Sequence, residues 1–255
     1  MSVSLLDKTR KLSKLLKDNN SDRASFDDLS KALSELIMSD VYFIGKSGVV
    51  LSKSSGYTKG SLLKFLENIE KSTSDISDKL LEITSTKENI EPKALGLEGN
   101  AAKAYGIISP VEMGKQRLGT LLVFRHLDPY DIEDIVITEY VATIIGIDLF
   151  HSIKEDEKDT LRRKQIVKSA LNSLSITEQE AAKVLFSELP MEGGMIITSK
   201  LSEKYGITRS LIINCLSKLE SAGIVETRSA GAKGTQIKII NNLIFSEVLR
   251  ENVDI

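Results

Sequence analysis

Apolar residues recur along this chain with two periods, and the switches between them mark out its elements. Leu5, Leu12, Leu15 and Leu16 stand at helical spacing before the polar run from Lys17 to Asp22. Ser25, with Asp27 and Asp28 behind it, is placed to cap a second helix carrying Phe26, Leu29, Leu33, Leu36 and Ile37 on one side. Val41 to Ile44 and Val49 to Leu51 are short β-rich runs around Gly45-Lys46-Ser47-Gly48, which predicts a hairpin. Helical spacing returns from Lys59 to Lys71 with Leu62, Phe65, Leu66 and Ile69, and again with Ile76, Leu80, Leu81 and Ile83. Thr84 to Ala104 has little pattern, and an unpatterned loop of that length suggests a ligand lid. Tyr105 to Val111 and Leu118 to Phe124 form the next strand pair, around the turn from Glu112 to Gln116.

Asp131 opens a long helix. Tyr130 before it and Ile135 after it have the spacing of a hydrophobic staple, and Asp134 suits the positive end of the helix dipole. Ile135, Val136, Tyr140, Ile144, Ile145 and Leu149 are expected to carry its apolar face. From His151 a mixed-charge run, Lys154 to Lys164, continues without Gly or Pro and reads as a solvated helix bridging two domains. After Ile166, Val167, Ala170, Leu171 and Leu174, the run Thr177-Glu178-Gln179-Glu180 fits a capping box and begins another helix, with Ala181, Val184, Leu185 and Leu189 inward. Met191 to Gly194 reads as a loop.

Two short helical patterns then meet at Gly206. Leu201 and Tyr205 lie one turn apart before it, while Ile212, Cys215, Leu216 and Leu219 repeat at three- and four-residue spacing after it. Gly suits a left-handed residue ending the first helix, and Thr208 can cap the second. This is the sequence form of a helix-turn-helix, whose second helix reads the DNA major groove. Ala222-Gly223 ends that helix. Ile224 to Arg228 and Thr235 to Ile240 read as strands around the turn Ser229 to Gly234, which makes a wing, and Leu243 to Arg250 closes the chain as a short helix.

Length and charge refine this picture. At 255 residues the chain exceeds the usual single core of about 100 to 200, so two domains are expected. The net charge of −2 gives no general attraction for polyanions. Between residues 198 and 238, however, Lys200, Lys204, Arg209, Lys218, Arg228, Lys233 and Lys238 outnumber Glu203, Glu220 and Glu226, and such a local cationic stripe is a footprint for phosphates. The amino terminus lacks the apolar core of a signal peptide, and no uninterrupted apolar run approaches about 18 residues, so cytoplasmic residence without a membrane span is the simplest expectation. The single cysteine, Cys215, excludes an internal disulfide and sits on a buried stripe.

The chemistry of enzymes is not legible. His126 and His151 have no Cys or paired carboxylates at ligand spacing, so neither a metal nor a catalytic site is expected. Gly45-Lys46-Ser47 is not a phosphate loop, since Asp40 occupies the position of the required first Gly and a strand follows. The leading pair of helices, the antiparallel strands and the long helix suggest a small-molecule sensor of the PAS or GAF kind.

Ile207 to Ile239, together with Ala170 to Ala181, resembles the carboxy-terminal part of the CodY family, nutrient-sensing pleiotropic transcriptional repressors of low-GC Gram-positive bacteria. The amino-terminal SLLDKTRKLSKLL, Gln116 to Arg125 and Glu139 to Asp148 are similar to that family in the same order. The resemblance implies an α+β homodimer with a GAF-like effector-sensing domain at residues 1–153, a linker helix at 154–174 and a winged helix-turn-helix at 175–255. It implies effectors rather than catalytic cofactors: isoleucine, leucine or valine, and GTP. It also implies AT-rich palindromic operators and repression of nutrient-adaptation and virulence genes. Carried over by motif, Ser199, Lys200, Thr208, Arg209, Ser210, Asn214 and Lys218 fall on the helix-turn-helix surface, and Lys233, Gly234 and Thr235 on the wing. In the sensor, Tyr42, Leu62 and Phe65 match apolar pocket positions, with a plain core role open for each. Ser61 stands where the family has a carboxylate-binding Arg. The family's Thr-x-Phe-Pro lid motif is absent from Lys93 to Tyr105, and Lys46 is the one cation left in a hairpin that is strongly basic in the family. A dimeric DNA-binding adaptor whose GAF-like domain takes no amino acid, or another ligand, is the alternative.

Overall fold

The structure is a computed structural model, and it describes residues 3–18, 26–57, 78–91, 104–126 and 128–249. The helix expected over 59–71, and with it Ser61, Leu62 and Phe65, lies outside those residues. Contacts divide the chain into two compact units, Met1–Ile153 and Lys154–Ile255.

In the first unit two helices, α1 (Val3–Asp18) and α2 (Phe26–Ile37), precede an antiparallel sheet. Its strands are β1 (Asp40–Gly45), β2 (Val50–Ser54), β3 (Lys87–Ile90), β4 (Ala104–Met113) and β5 (Gln116–His126), in spatial order β2-β1-β5-β4-β3. Within the 84–104 stretch Lys87–Ile90 is an edge strand where a loop is expected, held by pairing of Lys87 with Ile108 and Ile90 with Gly106; residues 92–103 of the expected lid lie outside the described residues. Successive strand residues point to opposite faces. Val41, Phe43, Ile107, Leu121 and Val123 meet Leu12, Leu29, Leu33 and the long helix α3 (Ile132–Asn172) on one side. Tyr42, Ile44, Ile108, Leu122 and Phe124 form a second core on the other, with Leu80.

Polar groups fasten these layers. Asp134, buried near the start of α3, receives Lys8 at 3.3 Å and Arg125 at 2.9 Å, the pairing that a buried carboxylate requires. Arg125 also lies 4.1 Å over the ring of Tyr130, whose hydroxyl donates to Ser39 Oγ; burial holds that phenol well above its ordinary pKa. Arg117 reaches from β5 to the carbonyls of Leu80 and Ile83, and so pins residues 80–83 to the sheet.

The apolar side of α3 matches the expected one in part. Ile145 is buried and Ile135, Ile144 and Leu149 pack against the core with Ile137, Val141 and Ala142, while Val136 and Tyr140 face outward with Ile132 and Ile147. Apolar residues occur on both sides of the first part of the helix, so periodicity alone did not select a single face. It is long and apolar enough to cross a membrane by length and composition, but Ile137, Val141, Ala142 and Ile145 are buried against the core of the first unit. Residues 154–163 are all exposed, in keeping with their charge.

The second unit packs α4 (Ile176–Glu188), α5 (Thr198–Tyr205), α6 (Arg209–Ser221) and α7 (Leu243–Leu249) around Leu185, Phe186, Ile212, Cys215, Leu219 and Ile237. The capping box at the head of α4 is Ser175 with Glu178, two residues earlier than the Thr177–Glu180 pair expected. Residues read as a loop form β6 (Gly193–Ile196), which pairs with β8 (Thr235–Ile239); β8 pairs in turn with β7 (Val225–Ser229).

Candidate nucleic-acid interface

The turn between α5 and α6 is built from local chemistry. Gly206 ends α5 in the left-handed region at φ 69°, ψ 18°, and its N–H donates to the carbonyl of Ser202. Thr208 is extended, and its Oγ1 accepts the N–H of Leu211 at 3.4 Å, so capping holds the head of α6. The buried stripe Ile212, Cys215, Leu216 and Leu219 then rotates Arg209, Ser210, Ile213, Asn214 and Ser217 outward. Burial pushes the Cys215 thiol up to about 12, which leaves it an inert core residue.

The cations of the expected stripe divide into two groups. Lys204 bridges to Glu188 at 2.7 Å, and Tyr205 donates its hydroxyl to the same carboxylate. Those hydrogen bonds lower the Glu188 pKa and raise that of Lys204, keeping both charged. Lys238 pairs with Glu226 at 3.5 Å. Lys218 is turned toward Glu178 at 2.7 Å and the Ser173 carbonyl, where it supports the α4 capping box. Among the described residues no ion pair involves Lys200, Arg209, Arg228 or Lys233. Glu220 accepts the N–H and hydroxyl of Thr227. Arg209 thus presents an uncompensated guanidinium in the first turn of α6, where the helix N–H groups add positive potential.

The wing closes on a short 3-10 turn, Gly231–Lys233, that leaves Lys233 exposed at its tip. Gly234 has φ 107°, and a Cβ there would meet the Ile196 carbonyl oxygen at 2.4 Å, so β6 and β8 approach only without a side chain at this position. Thr235 begins β8 and is half-buried, as is Ser199 on α5, while Lys200 beside it is exposed. The arrangement offers a helix with polar side chains and a free Arg for base edges, flanked by cations for phosphates.

In the first unit Tyr42 is 3% exposed, inside the second sheet core. Lys46 is exposed in the β1–β2 turn, and its N–H donates to the Leu118 carbonyl. The hold of Lys218 on Glu178 carries no sequence signal by itself, whereas the outward position of Ile213 follows from its place outside the three- and four-residue stripe.

Two family models match the chain: the CodY GAF-like domain over residues 4–173 and the CodY helix-turn-helix domain over residues 192–252. The global transcriptional regulator CodY of Clostridium tetani is 36% identical over 252 residues, covering 96% of this chain and 98% of that protein. That of Clostridium beijerinckii is 37% identical over 256 residues, with the same coverage. Among solved structures, the cofactor-binding GAF domain of the nutrient sensor CodY from Clostridium difficile is 29% identical, covers 58% of this chain and 99% of that one, and superposes with a TM-score of 0.40.

Proposed function

Since the chain belongs to the CodY family, we propose that it is a global transcriptional regulator, mainly a repressor, whose helix-turn-helix binds operator DNA when its GAF-like domain holds a small-molecule effector. The observation that carries the reading is the free, exposed Arg209 beside Ser210 and Asn214 on a capped helix, within reach of a wing tipped by Lys233. Arg209 and Asn214 read base edges, Ser210 and Thr208 fix the head of the helix against the backbone, and Lys200, Lys233 and the hydroxyl of Thr235 take phosphates.

The effectors are branched-chain amino acids, isoleucine foremost, with GTP as a second signal. Tyr42 belongs to the apolar lining of the amino-acid pocket together with Leu62 and Phe65, and Ser61 stands near the carboxylate. Lys46 is the cation of the β1–β2 hairpin available to a nucleotide phosphate. The protein acts in the cytoplasm as a homodimer, with the outward stripe Ile132, Val136, Tyr140 and Ile147 of α3 as the dimer face. A two-fold dimer calls for palindromic half-sites, here AT-rich, about one helical turn or a multiple of it apart. Nutrient-adaptation and virulence genes are the targets.

The test is fluorescence anisotropy of labelled duplexes with the full chain. Specific binding to a promoter fragment over random duplex, tightened by isoleucine and further by GTP, is expected. Binding without preference under every effector condition would overturn the reading. Specific binding indifferent to all effectors would instead favour a DNA-binding adaptor.

A further inference from the structure

Ile213 is 55% exposed, whereas its neighbours Ile212 and Cys215 are 1% and 0% exposed. A single exposed aliphatic residue is ordinary on a protein surface. Its position is the informative part, because it stands on the outward side of α6 with Arg209 and Ser210 one turn before it and Asn214 and Ser217 beside and after it. Every other member of that group is polar. In the major groove the base edges offer donors and acceptors, and the one apolar group among them is the C5-methyl of thymine. A β-branched side chain in a helix holds essentially one χ1 rotamer, so it meets such a methyl without loss of side-chain freedom.

We infer that Ile213 is a specificity-determining residue that packs on the C5-methyl of a thymine in each half-site. This rests on α6 being the DNA-reading helix. Arg209 and Asn214 supply hydrogen-bonded readout on either side, and Ile213 adds discrimination for thymine over cytosine at the base between them.

The experiment uses full-length protein and a duplex selected by it from a random library. Thymines are replaced one at a time by deoxyuridine, which removes the methyl and keeps every hydrogen-bonding group. For the unmodified chain, replacement at one thymine per half-site is expected to weaken binding roughly fourfold, the effect of one buried methyl. In Ile213→Ala the same replacement changes nothing, so the two losses do not add, while Ile213→Val keeps part of the sensitivity. Circular dichroism melting should show both variants folded, since the side chain lies outside the core. Equal deoxyuridine sensitivity in the unmodified chain and Ile213→Ala, or specific binding with no sensitive thymine, would overturn the assignment alone. Failure of the selection to enrich any sequence would overturn the DNA-binding reading and the assignment with it.

Discussion

Arg209 and Lys218 show how two cations nine residues apart on one helix come to serve different ends. Arg209 has no carboxylate within reach among the described residues and points outward from the first turn of α6. Arg209→Ala is therefore expected to weaken operator binding by roughly 1–3 kcal/mol and to leave the melting midpoint nearly unchanged, which anisotropy and circular dichroism would measure side by side. Lys218 is held at 2.7 Å from Glu178, away from the outward stripe. Lys218→Ala should do the reverse, lowering stability while preserving the dependence of operator affinity on salt. A phosphate contact would reduce that slope by about one unit, and the same titration distinguishes the two. The residue types were legible in the sequence as a basic stripe, but the sorting into free and engaged cations was not.

At the scale of the element, the start of α4 depends on a neighbour. Ser175-x-x-Glu178 and Thr177-x-x-Glu180 are overlapping capping-box patterns, equivalent as sequence. Glu178 is the carboxylate that receives the Lys218 ammonium from α6 and accepts the Ser175 N–H at 2.7 Å. Those bonds lower its pKa from 4.5 to about 2. Because the folded value lies below the unfolded one, the unfolded chain takes up the proton first as pH falls. The contribution of Glu178 is thus complete above pH 4.5 and lost on descent toward pH 2. Glu178→Gln should be less stable than the unmodified chain at neutral pH, with the gap closing through that window in thermal unfolding at successive pH values. A gap constant down to pH 2 would show that the carboxylate charge is not what holds the cap. Similarly, β6 escaped sequence reading because Gly193-Gly194 carries no strand signal; its conformation comes from register with Ile237 and Lys238 of β8.

Across the whole molecule, two compact units with separate cores are joined by a continuous helix, Ile132–Asn172. The outward apolar residues of its first half are the face proposed above for the dimer. If that face is the dimer contact, charging it in a Val136→Glu, Tyr140→Glu double variant is expected to give a monomer in sedimentation velocity that keeps the far-UV circular dichroism of a folded chain, since both side chains are exposed in the single chain. Operator affinity should fall with the loss of the second half-site. A variant that remains dimeric would place the dimer contact elsewhere.

The helix-turn-helix with its wing and, β3 and β6 apart, the order of helices and strands were written locally. Gly206, Thr208 and the three- and four-residue spacing from Ile212 to Leu219 act within one or two turns, so the chain determined them by itself. Choices between equivalent local patterns were left to tertiary structure. The sheet selected Ile137 and Val141 over Val136 and Tyr140, and Lys218 selected one capping box over another. The physical reason is common to both: local sequence sets the period and the cap, whereas the energy that breaks a tie comes from burial and charge pairing with residues distant in the chain.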